Sequence, residues 1–197
     1  MDVTLLAAAT GTVAAFTDLI TPADLARPSP CEGWDLADLL AHLQSENLKF
    51  AAAAGDSATV MNTTVEQSDP TYRSSADAML TAFRGADDPT QIVTVEPLGP
   101  RRLDELYAFQ VVDTVVHGWD LATALGLPYA PASATVDLAV RVLRRVPDES
   151  RGPGRAFGAA ITVPPTGDLR EALALAGRTT GEPGGDAPFE AWAEVAP

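Results

Sequence analysis

The chain of 197 residues contains two histidines, and each lies in a stretch that reads as helix. His117 belongs to VVDTVVHGWDLATALG, residues 111–126, where it follows Asp113 by four positions. His42 belongs to DLADLLAHLQSE, residues 35–46. A spacing of four puts Asp113 and His117 side by side on consecutive turns of one helix face. A carboxylate and an imidazole so placed can ligate the same cation. With His42 contributed by a neighbouring helix, the set becomes two histidines and one carboxylate. Catalytic zinc commonly takes three such protein ligands and keeps one position open for water or substrate. Non-haem Fe(II) and Ni(II) accept similar sets. The plainer reading of the same residues is an Asp–His hydrogen-bonded pair with a separate, satisfied histidine. Spacing alone leaves both readings open.

These residues need helices to position them. Residues 2–19 are rich in Ala and Leu, with an apolar helical period at Leu5, Ala8, Val13, Phe16 and Ile20. TPADLARPSPCEGWD, with three prolines, must be a loop or turn. Asp35 is then the expected N-cap of a second helix that stops at Gly55. Leu36, Leu39, Leu40, Leu43 and Phe50 form its apolar stripe, with His42 on the flank and Glu46 one turn further on. Residues 55–69 read as loop. TYRSSADAMLTAFRGA reads as a third helix, and TQIVTVEPLG as a short extended connector. A fourth helix is expected from about Pro100 to Leu125, stopping at GLP. On it Leu103, Tyr107, Val111, Val115 and Val116 cover most of the circumference, the mark of a buried central helix. Leu106, Gln110, Asp113, His117 and Leu121 share one side. A buried, unpaired carboxylate there would cost several kcal/mol, so something must compensate Asp113. ASATVDLAVRVLRRV reads as a fifth helix and DLREALALAGR as a short last one, within a Gly/Pro-rich remainder. The pattern predicts an all-α fold, an antiparallel bundle of helices with a loop-rich C-terminal tail.

The formal charge is −14 and Lys49 is the single lysine. Such a chain repels phosphate backbones and anionic membrane surfaces, which argues against nucleic acid and membrane as partners. One cysteine, Cys31, excludes an internal disulfide and any Cys-rich zinc site. The apolar N-terminus lacks the basic segment of a signal peptide, and no uncharged run is long enough to span a bilayer. The expectation is a cytoplasmic protein acting on a small molecule.

PSPCEGWDLADLLAHL, followed some seventy residues later by VDTVVHGWDLATALG, resembles the DinB-like metal-binding proteins of the mycothiol-dependent maleylpyruvate isomerase N-terminal-domain type. The shared features are a Cys-x-Gly-Trp turn, a helix with Ala-His, and a later acidic-x-x-x-His-Gly-Trp-Asp-Leu helix. FGAAITVPPTGDLREALALAGR is similar to the C-terminal segment of a single-domain subgroup, so the likeness covers about residues 5–180. It implies a DinB four-helix bundle over 1–180, followed by a tail at 181–197. It also implies a divalent metal, with Zn ahead of Ni or Fe, on His42, Asp113 and His117. Asp113 stands where members often carry the longer Glu. The chain is too short for the second domain of the isomerases. The implied activity is that of a metal-dependent thiol transferase or isomerase, in which the metal activates mycothiol or a small electrophile. A lyase, cyclase or hydrolase without thiol, and a non-catalytic metal-binding protein, are the alternatives.

Beyond the three ligands the sequence assigns neither a catalytic residue nor a thiol contact. Asp120 is either an acceptor orienting a ligand histidine or a surface carboxylate. Gln110 is a candidate for orienting a water or ligand. Glu46 reads as solvated, with a fourth ligand as the alternative. Trp34, Trp119 and Cys31 read as packing residues, although a thiol ahead of a helix N-terminus can be reactive.

Overall fold

The computed structural model describes residues 2–55, 71–95, 98–152 and 157–180. Within them the chain forms six α-helices and one two-stranded sheet. Helix α1 spans Thr4–Thr17 and α2 spans Leu36–Ala54. Asp35 caps α2 as expected: its side chain accepts from the Asp38 amide at 3.0 Å, and Asp38 accepts from the Asp35 amide at 3.1 Å. This reciprocal pair satisfies two backbone donors that the first turn would otherwise leave free. Helix α3, Tyr72–Gly85, starts at Thr71, whose hydroxyl accepts from the Ser74 amide. Helix α4, Leu103–Leu125, is the longest. It ends in a Schellman-type cap: Leu127 N–H bonds the Ala122 carbonyl at 2.9 Å, and Gly126 N–H bonds that of Thr123 at 3.1 Å. Helices α5, Ser133–Leu143, and α6, Leu169–Leu175, follow.

The fold is mostly helical, with an addition that the all-α expectation omitted. Strands β1, Ile92–Val95, and β2, Gly99–Arg102, pair antiparallel with Val95 opposite Gly99. The β-branched residues of TQIVTV supplied that signal. Helix α4 consequently begins at Leu103 rather than near Pro100, because Pro100–Arg102 belong to β2. Asp104 and Glu105 fill the first turn of α4, where acidic side chains suit the helix dipole.

Helix α4 packs on α1, α2 and α5; α2 also packs on α3, and α6 on α5. The expected apolar face of α1 holds at Val13 and is one residue out of register in the first turns, where Leu6 and Ala9 replace Leu5 and Ala8. Leu6, Ala9, Val13 and Ala14 are buried, whereas Ala8 is exposed. An Ala-rich helix has apolar residues on several sides, and the position of α4 selects among them.

Two apolar clusters result. The larger gathers Leu6, Phe50, Phe83, Leu103, Val111 and Leu173, among others. The smaller, with Val13, Leu36, Leu39, Leu43, Tyr72 and Leu121, is flanked by Cys31 and Trp34. Each fully buried leucine contributes roughly 1.5–3 kcal/mol. Four of them therefore offset the several kcal/mol that a partly compensated carboxylate nearby costs. Among the described residues no helix is long and apolar enough to cross a membrane. The 55–69 loop falls almost wholly outside the described residues, as does the 181–197 tail.

Candidate metal centre

Helices α2 and α4 bring His42, Asp113 and His117 together. His42 Nε2 lies 3.4 Å from Asp113 Oδ1, and His117 Nε2 lies 3.5 Å from the same oxygen. The three ligand atoms all fall within 4.8 Å of one another. Ligands about 2.0–2.1 Å from a tetrahedral zinc stand about 3.4 Å apart. The two shorter separations match that edge. The side chains remain between 13% and 25% exposed, so the cluster is not sealed from solvent.

The turn before α2 roofs this point. Trp34 N–H bonds the Cys31 carbonyl at 3.0 Å, and Gly33 takes φ +78°. A positive φ at the third position of a four-residue turn is what a type II turn demands, and glycine adopts it without strain. That explains the Gly of Cys-Glu-Gly-Trp. The turn stacks the Trp34 ring on His117, with centroids 6.3 Å apart and planes 16° apart, and sets it 5.1 Å from the His42 ring. Trp34 packs, as the sequence reading had it, but against the two histidines. Trp119 packs against the larger core cluster.

On its far side His117 is held by Asp120, fully buried, whose Oδ2 lies 2.8 Å from Nδ1. With Nδ1–H donated to a carboxylate, Nε2 is the nitrogen left facing Asp113 and His42. This is the usual arrangement behind a metal-bound histidine. Arg178 completes it, donating from Nε to Asp120 Oδ1 at 2.9 Å and from Nη2 to Oδ2 at 2.8 Å. The same Nη2 reaches Cys31 Sγ at 3.3 Å, and Cys31 donates to Asp120 Oδ2 at 3.2 Å. Cys31 is thus part of a polar network rather than a packing residue alone. Cys31, His117 and Asp120 also form a group with metal-ligand spacing. The Arg178 guanidinium already supplies the positive charge in that group. Among the described residues, the positive charge acting on Asp113 comes from the two imidazoles.

Electrostatics follow from this layout. Burial disfavours the charge on Asp120, yet hydrogen bonds from His117 and Arg178 and their charges hold its pKa at about 2. Burial likewise opposes a charge on His117. The Asp113 carboxylate and hydrogen bonds to Asp120 and Cys31 outweigh it and push the pKa up to about 10. Asp113 sits below the usual carboxylate range because the two imidazoles more than offset its desolvation.

Glu46 pairs with Lys49 at 2.5 Å, outside the cluster. Gln110 is fully buried and donates to Asn47. The sequence reading missed Asn47, Tyr129 and Arg178. Asn47 had a signal, an amide one turn beyond Leu43 on the buried stripe. The mid-helix Gly118 was the signal for Tyr129, since a Cβ there would meet the Tyr129 hydroxyl at 2.6 Å. Arg178 follows Asp120 by 58 positions and had none.

Fold and cluster together define a mostly helical domain that converges two imidazoles and a carboxylate beneath an indole. Residues 6–122, more than half of the chain, match the family Mycothiol maleylpyruvate isomerase N-terminal domain, and the chain belongs to this DinB-like family. No curated protein and no solved structure matches the chain.

Proposed function

We propose that the protein is a metal-dependent thiol transferase or isomerase that binds a divalent metal, zinc by preference, through His42, Asp113 and His117. The carrying observation is the separation of 3.4 and 3.5 Å between the two imidazole nitrogens and one carboxylate oxygen. On this reading α1–α4 are the four helices of a DinB-like bundle within one domain over about 1–180. When bound, the metal supplies a Lewis acid with an open position, which favours the thiolate of an incoming thiol such as mycothiol. His117 is presented to it by Asp120 and Arg178. Trp34 limits water access from one side and keeps both imidazoles in place. The thiol sulfur adds to one carbon of a small electrophile such as an activated alkene as the C=C π bond breaks. Rotation about the resulting single bond and loss of the thiolate restore the alkene as its isomer. Protonation of the other carbon, by the proton the thiol gave up, instead leaves the S-adduct. The acidic surface and the single cysteine support a cytoplasmic site of action on small molecules.

The test is elemental analysis of the purified protein, then a thiol-dependent adduct assay on metal-reconstituted wild type, Asp113→Ala and Cys31→Ser. Asp113→Ala should lose metal and turnover together, while Cys31→Ser should keep both. Loss of turnover in Cys31→Ser with metal retained would make Cys31 the nucleophile. Turnover without added thiol would replace the thiol mechanism by metal-only Lewis-acid chemistry.

A further inference from the structure

The two imidazoles of the cluster are held by different means. His117 has a carboxylate behind it, with Asp120 Oδ2 at 2.8 Å from Nδ1. His42 has no such acceptor. Among the described residues its one hydrogen-bonding contact is from Nε2 to Asp113 Oδ1 at 3.4 Å, and its side chain is 25% exposed. The terminal torsion of a histidine is broad and roughly two-fold, and a half-turn about it puts a ring carbon where Nε2 stood. What bears on the His42 ring is Trp34, with centroids 5.1 Å apart and planes tilted by 56°. The same indole lies along His117, and the two imidazoles meet edge to face at 4.8 Å, so the three rings form one packed group.

The indole is itself carried on a fixed turn. Ser29 donates to the Trp34 carbonyl from its amide at 3.0 Å and from its hydroxyl at 3.1 Å, and Leu36 N–H bonds the Arg27 carbonyl at 2.9 Å. Cys31, three residues before Trp34, donates to Asp120 Oδ2 at 3.2 Å. The ring that walls His42 is thereby tied to the carboxylate that orients His117. We infer that Trp34 is the positioning residue of His42. It does by packing what Asp120 does for His117 by hydrogen bonding: it holds the ring in the orientation that aims Nε2 at Asp113. The apparent affinity of a site falls with the fraction of time its ligands spend in the binding arrangement. Without the indole, His42 leaves that arrangement while His117 stays in it. The inference rests on the metal reading above.

Trp34→Leu tests it, because it keeps an apolar side chain in the turn and removes the ring. Zinc affinity is measured by chelator competition, and the imidazole nitrogen shifts of the zinc-loaded protein are recorded by NMR. The chain has two histidines, so each can be followed separately, and nitrogen shifts report coordination. Zinc affinity should fall about 10-fold or more. The His42 signals should move towards those of a free imidazole, and those of His117 should stay at their zinc-bound position. Trp34→Phe, which returns a ring to the turn, should recover most of the affinity. Trp34→Met, whose unbranched chain fills irregular gaps, decides in its place if Trp34→Leu does not fold. A residue that only stacks on substrate would move neither metal readout. Wild-type affinity and nitrogen shifts in Trp34→Leu overturn the inference and leave the metal site standing. Equal displacement of both histidines also overturns it, since the turn as a whole would then be at work. Failure of the wild type to bind zinc overturns both readings.

Discussion

Asp120 is where burial, charge and ligand orientation meet in one side chain. It is fully buried and pairs in two-pronged fashion with Arg178. Asp120→Asn leaves that guanidinium, itself 15% exposed, without a countercharge. Breaking such a pair from one side costs about 3–5 kcal/mol, which urea unfolding of the metal-free protein would measure. The pH dependence has a fixed sign. The folded pKa of about 2 lies below the roughly 3.9 of an unfolded Asp, so the contribution is complete above about pH 4 and is lost as pH falls towards 2. Wild type should therefore lose its urea midpoint steeply over that window and Asp120→Asn much less. Parallel profiles would contradict the assignment. At this scale residue type and spacing singled out His42, Asp113 and His117 but left a plain Asp–His pair open, and the resemblance supplied the ligand set. Only two histidines exist, and one has a carboxylate four residues before it. Arg178 was not legible, because its position beside Asp120 depends on how the segment after α5 returns across the fold, and no local spacing encodes that.

The helices were legible where caps and periodicity agreed. Asp35, Gly55 and Gly126 marked the ends of α2 and α4, and each end falls where its cap predicts. The start of α4 was misjudged because Pro100 suits either a first helical turn or a strand, and only the partner strand decides. Gly118 shows how an element accommodates its neighbour. Tyr129, on the loop after α4, lays its hydroxyl over the Gly118 Cα, where an added Cβ would come within 2.6 Å of the oxygen and 2.9 Å of the ring. Gly118→Ala gains a little helix propensity but forces Tyr129 away. The overpacking cost of about 1–3 kcal/mol exceeds the gain of roughly 1 kcal/mol. A lowered melting temperature in Gly118→Ala, partly recovered in the double variant with Tyr129→Ala, is the expected result. No recovery would mean that the glycine serves another purpose.

For the whole molecule, proton and metal compete for one place. Without metal, His117 carries a proton held by Asp113 and Asp120, with a pKa raised from 6.5 to about 10. The stability this proton provides is complete below about pH 6.5 and is lost as pH rises through 10. A metal ligand must be the neutral imidazole, so binding releases that proton. Apparent zinc affinity should therefore rise about tenfold per pH unit between pH 6 and 8. Chelator competition at fixed ionic strength reads this directly, and a flat profile would exclude His117 as a ligand. The fold was legible as helices wrapped around a central α4. The hairpin and the return of the C-terminal segment were not, since both depend on long-range partners. The 71-residue separation between His42 and Asp113 also carries a kinetic consequence. Ligands so far apart in sequence meet only after α2 and α4 have docked, so a bound ion clasps the finished structure and is missing from the barrier that precedes it. Interactions absent from the transition state slow unfolding and leave folding untouched. In denaturant-jump experiments zinc should lengthen the lifetime of the native state while refolding proceeds at the metal-free rate.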